Sequence, residues 1–124
     1  MRSFFIQHDA RPQLENVGYL IEMNNLKVFH TGDYNGSEVV EFGKLKLQNE
    51  QIDLALLNFY GFWNIKEEQA FTEKYINPKQ IVLTHIPSAD VGHIQDTVAL
   101  IKDFIDIAVF ERSMSTKSFD FGAK

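Results

Sequence analysis

The sequence predicts an α/β (α+β) domain with a mixed sheet and helices over one face. Three observations predict it: short runs rich in β-branched and aromatic residues recur along the chain, segments of helical periodicity separate the later runs, and an Asn-Asn pair joins two of the early ones. The 124 residues hold no internal repeat, low-complexity tract or evident linker, and a 44% hydrophobic content with 11 Phe is enough to fill one core. Residues 1–124 are therefore read as a single domain.

Each element follows from local chemistry. Ser3 to Gln7 reads as the first strand. Val17 to Glu22 and Leu26 to His30 read as two strands of a hairpin, because Asn24-Asn25 tolerates the positive φ of a tight turn. After Asp33, Ser37 caps a predicted helix running to about Leu47, in which Gly43 costs roughly 1 kcal/mol relative to Ala. Ile52 to Asn58 alternates as a buried strand. Asn64 followed by Glu67 resembles a capping box, and Ala70, Phe71 and Tyr75 give the next helix an apolar stripe that ends near Pro78. Gln80 to Thr84 is the next strand. Ile94, Val98, Ile101 and Ile105 fall at i, i+4, i+7 and i+11, one face of a helix that leads into a strand from Ile107 to Glu111. Ser118 to Phe121 is read as a last short strand. The order β-ββ-α-β-α-β-α-β places functional residues on loops at strand ends.

Composition excludes several function classes. A formal charge of −5 with no basic cluster argues against nucleic acid, whose binding rests on neutralising phosphates. Cysteine is absent, so there is neither a disulfide framework nor a thiolate metal site, and any metal falls to His, Asp or Glu. No apolar run is long enough for a signal peptide or a membrane helix, which makes a soluble protein with a cytoplasmic location the default expectation.

The most informative segment is Val28-Phe29-His30-Thr31-Gly32-Asp33, where a glycine turn ejects a carboxylate from a strand end. His8 follows an apolar run upstream and His85 ends the run Gln80-Ile81-Val82-Leu83-Thr84, so each of His8, Asp33 and His85 terminates a predicted strand. Imidazole and carboxylate together suit zinc, iron or manganese. Singly, Asp beside Gly is also an ordinary turn pair. His30 shares a strand face with Val28 and is placed to pack or hydrogen-bond beneath the Gly-Asp turn, a supporting position behind the ligands. His93, in Asp90-Val91-Gly92-His93, is a candidate general acid at the site mouth or a residue of a helix start. Phe59, Tyr60 and Trp63 fall in an aromatic loop, either an apolar wall for a small-molecule substrate or a patch for a partner.

His8, then Asn16-Val17-Gly18-Tyr19-Leu20-Ile21-Glu22, then Val28 to Asp33, then Thr84-His85 resembles the second half of a metallo-β-lactamase-fold hydrolase, over nearly the whole chain. The resemblance implies half of an αββα sandwich. It also implies that His8 binds a first metal, most often zinc, that Asp33 bridges two metals, and that His85 binds the second, for hydrolysis of ester, amide or phosphodiester-type bonds by a metal-bound hydroxide. The His-x-His-x-Asp-His signature of that family's first half has no counterpart here. Met1 leads within two residues into Phe4-Phe5-Ile6, which reads like the start of a C-terminal half.

Three readings follow. The chain is the C-terminal portion of a metal-dependent hydrolase whose ligand set is completed by an N-terminal half; or it pairs with a second copy of itself; or it is a non-catalytic binding module that keeps the fold without the metal centre and is metal-free.

Overall fold

The computed structural model describes residues 1–5, 16–34, 42–59, 65–100, 106–110, 112 and 114–122. Among them six strands form one sheet in sequence order: β1 (Arg2–Phe5), β2 (Val17–Met23), β3 (Leu26–His30), β4 (Leu54–Asn58), β5 (Gln80–Thr84) and β6 (Asp106–Val109). The first three are antiparallel neighbours and β3 through β6 run parallel. Helix α1 (Ile65–Tyr75) connects β4 to β5, and α2 (Val91–Ala99) lies between β5 and β6. The mixed sheet with its helices is the α+β fold that the sequence predicts.

Asn24 and Asn25 adopt φ of 51° and 64°, the left-handed pair that a two-residue turn needs if its twist is to match the strands it joins. Beyond β3 each parallel strand lies beside the one before it. Right-handed crossovers between such successive neighbours lie on one side of a sheet. Pairing aligns Leu20, Phe29, Ala55, Ile81 and Ile107 across that side. Phe71 and Ile76 from the α1 region and Ile94 of α2 are buried in the same cluster. A chain of edge-on rings, Phe4 to Phe29 at 6.4 Å, Phe29 to Phe42 at 6.1 Å and Phe42 to Phe71 at 5.1 Å, ties β1, β3 and α1 together. Burying each Phe contributes roughly 2–3 kcal/mol.

The opposite face is different. Val17, Tyr19, Ile21 and Met23 of β2 are 37%, 39%, 38% and 66% exposed, and Leu54 and Leu56 of β4 are only half-buried.

Several boundaries depart from expectation. The helix predicted to reach Leu47 stops earlier: Phe42 and Gly43 are helical, Lys46 has φ 55°, and Leu47–Asn49 form a 3-10 turn that plugs fully buried Leu47 into the core. Gly43 admits the ring of Tyr75, which would stand 3.2 Å from an added Cβ. Ser37 lies outside the described residues. Strand β4 begins at Leu54 instead of Ile52 because Gln51 turns at φ 58° and the buried carboxylate of Asp53 is engaged with half-exposed Lys79. The strand expected at Ser118 to Phe121 does not form; there the Asp120 carboxylate accepts from the amide of Gly122, a local turn with no strand beside it. Gln7, Ile101, Ile105 and Glu111 fall outside the described residues, as does Asn64. Among the described residues no helix is long and apolar enough to cross a membrane.

Candidate functional site

Parallel strands deliver their carboxyl ends to one edge, and the loops that leave such ends are where functional residues concentrate. Here that edge receives His30 at the end of β3 with Thr31 to Asp33 beyond it, Asn58 at the end of β4, His85 after β5 and Phe110 after β6. Strands β3 and β5 are two inter-strand spacings apart, roughly 10 Å.

The Gly-Asp turn is held from the side. Asn16 is buried beside β2; its amide Nδ2 donates to Thr31 O at 3.1 Å and its Oδ1 accepts from the Asp33 amide at 2.8 Å. Gly32 turns at φ +65°, and a Cβ there would press on Asn16 Oδ1 and lie 2.8 Å from Val17 O. Only glycine fits. Asp33 is half-buried with its Oδ1 shielded from solvent. Thr31, wholly buried, donates its hydroxyl to Leu56 O at 3.2 Å, and buried Asn58 donates to Tyr34 O at 3.0 Å. Three side chains thus fix the backbone that presents Asp33.

His30 supports the same turn. Its Nδ1 accepts from the Gly32 amide at 2.8 Å, which leaves the ring proton on Nε2. Burial, and secondarily the nearby imidazole of His85, hold His30 below its ordinary value. The ring is thereby neutral and offers an N–H at Nε2, which suits a hydrogen-bond donor and not a metal ligand. His85 itself is exposed and adopts φ 62°, a left-handed conformation that sharply redirects the chain as it leaves β5.

His85 lines a cleft of about 360 Å³ at the ends of β5 and β6, with Thr84, Ser88 and Arg112 as polar neighbours and Val82 and Phe110 as apolar wall. Among the described residues none that lines it is acidic, and Asp33 does not line it. His93 is exposed on α2 and does not line this cleft. Phe59 is a buried core residue, 3% exposed, while Tyr60 and Trp63 lie outside the described residues. His8 lies outside them too.

A carboxylate and an imidazole are donors that suit zinc, iron or manganese. Among the described residues, however, no group of three or more His, Cys, Asp or Glu side chains is placed to hold a metal. Asp33 and His85 therefore need further donors, from His8 or from another polypeptide layer, before a site is complete.

Two residues of this region carried no predicted role. Glu68 of α1 is buried and accepts the Tyr34 hydroxyl at 2.9 Å; desolvation raises its carboxyl to about 7, against the smaller opposing effect of that hydrogen bond. Its signal was present, since Glu68 precedes Phe71 and Thr72 by three and four positions on the buried stripe. Arg112 follows the last strand, and no local pattern marks it.

No family model, curated protein or solved structure matches the chain.

Proposed function

We propose that the chain supplies one side of the metal centre of a hydrolase resembling the metallo-β-lactamase fold, with Asp33 and His85 as ligands joined by His8, acting on a small-molecule substrate. The observation that carries this reading is the placement of Asp33 and His85 at the carboxyl ends of parallel strands two positions apart in the sheet. The bracing of Asp33 by Asn16, Gly32 and Thr31 supports it, because a ligand held before metal arrives does not have to be ordered by it. Bound at such a site, zinc, iron or manganese supplies Lewis acidity and an acidified water. Those three ligands suffice for one ion; donors for a second ion would come from a second layer over the exposed apolar face of β2, the position the resemblance gives to an N-terminal half.

Turnover of 4-nitrophenyl acetate and bis(4-nitrophenyl) phosphate in the presence of added zinc tests the reading. Metal-dependent turnover is expected to fall roughly 100-fold in both Asp33→Ala and His85→Ala. Turnover that ignores zinc and both substitutions contradicts it.

The exposed apolar residues of β2 also favour a second reading, a non-catalytic module that pairs with its own copy through that face. It expects a dimer at micromolar concentration that Ile21→Glu converts to monomer. A wild-type monomer by sedimentation would exclude it.

A further inference from the structure

The chain as a whole is acidic, with a formal charge of −5, yet the described residues that line the cleft at the ends of β5 and β6 include Arg112, His85, Ser88 and Thr84 and no acid. We propose that this cleft binds the acidic group of a small organic anion, a carboxylate or a phosphate monoester, with Arg112 as its anchor. This names the substrate class of the proposed hydrolase and rests on that reading for the reaction, though not for the binding.

The polar side of the cleft is arranged for an oxyanion. Arg112 carries a planar fork of N–H donors that matches two oxygens of a carboxylate or phosphate at once. Among the described residues no carboxylate pairs with it, and its backbone is fixed locally, since the Ser115 hydroxyl donates to Arg112 O at 2.7 Å. Thr84 is already committed through its hydroxyl to Leu57 O at 3.1 Å, so the donors that remain toward the cleft are Arg112, His85 and Ser88. Phe110 itself is in contact with a cation, Lys117, whose Nζ stands 5.7 Å from the centre of the ring.

The rest of the cleft selects what carries the acid. Val82 and Phe110 present an aliphatic and an aromatic surface beside the donors. About 360 Å³ lies at the small end of ligand pockets, suited to one ring or a short chain with one acidic group and too small for an oligomer. His85 both lines this cleft and is a ligand in the proposed metal reading, so the two readings share that residue.

Nuclear magnetic resonance titration of the metal-free chain, in buffer with chelator, tests the proposal with phenyl phosphate, benzoate and benzyl alcohol as probes. Saturable shifts in the Thr84–Ser88 and Phe110 amides are expected with at least one of the two acids and not with the alcohol. The stronger acid assigns phosphate or carboxylate. Arg112→Gln is expected to weaken acid binding roughly tenfold, and Arg112→Lys, which keeps charge but loses the fork, by less. Equal binding of the neutral alcohol, unchanged affinity in Arg112→Gln, or no saturable binding of either acid would overturn it. Asp33→Ala is expected to keep the acid affinity, so failure of the metal reading and failure of the anion cleft give different results.

Discussion

The two ends of the parallel strands solve opposite problems. At the amino end, charge is matched to charge. Asp53, wholly buried, accepts from the Lys27 amide at 2.9 Å and from Lys79 Nζ at 2.6 Å, while Glu50 receives Arg2 and Lys27 at 2.6 and 3.2 Å. Hydrogen bonding to Arg2, more than any other cause, holds Glu50 below its ordinary value. These contacts join β1, β3 and the starts of β4 and β5. At the carboxyl end the polar side chains of Asn16, Thr31 and Asn58 bind backbone instead, and the ionisable heads of His85 and Arg112 line an open cleft. One end fastens the sheet and the other presents chemistry, and both are built from residues at strand termini.

The comparison can be broken at either end, and the largest effect is expected at the fastened one. Asp53→Ala removes the acceptor of a part-buried amide and of a partly exposed lysine. It should cost about 3 kcal/mol of stability by denaturant unfolding, with no change in the behaviour of the cleft. A loss below about 0.5 kcal/mol would show that the amino end is not the fastening.

Glu68, behind the carboxyl end, should produce an effect of similar size with a distinctive pH dependence. Its folded-state carboxyl keeps its proton to about pH 7, whereas the unfolded chain releases it near 4.5, so the folded state binds more protons across that window. Stability from this group is therefore greatest below about pH 4.5 and falls as pH rises through 7, by as much as about 3 kcal/mol. Glu68→Gln should flatten that decline and leave the protein more stable than wild type at pH 8. An unchanged pH profile would contradict the raised value.

Asn16→Ala is the sharper probe of the site. Losing both hydrogen bonds to the Gly-Asp turn should cost about 2 kcal/mol and shift the His30 ring resonances, because His30 holds the same turn through Gly32. Full stability in this variant would mean that the turn holds itself.

The parts of this architecture that depend on neighbours in sequence were legible there. Asn24-Asn25 announced its hairpin, and the run Gln80 to Thr84 was bounded correctly, because turn chemistry and strand pattern are local. The end of the helix before Lys46 was not, since nothing about lysine signals a left-handed φ that is imposed by burying Leu47. Which sheet face would stay bare was also hidden: β2 alternates Val17, Tyr19 and Ile21 on one face with Gly18 and Leu20 on the other, and both read as apolar. At the site, the placement of Asp33 and His85 at strand ends could be read from strand termini. The Asn16 brace could not, because its bonds cross 15 and 17 residues and only pairing of β2 with β3 brings them together. Arg112 joins His85 through pairing of β5 with β6, which is equally nonlocal.

The most direct test of the central claim, that the carboxyl end presents metal ligands on a prepared turn, is the metal content of the purified chain by mass spectrometry beside Asp33→Ala prepared identically. The account predicts about one equivalent of zinc, iron or manganese in the wild type and its loss in the variant. No metal in either protein, or equal metal in both, would contradict it.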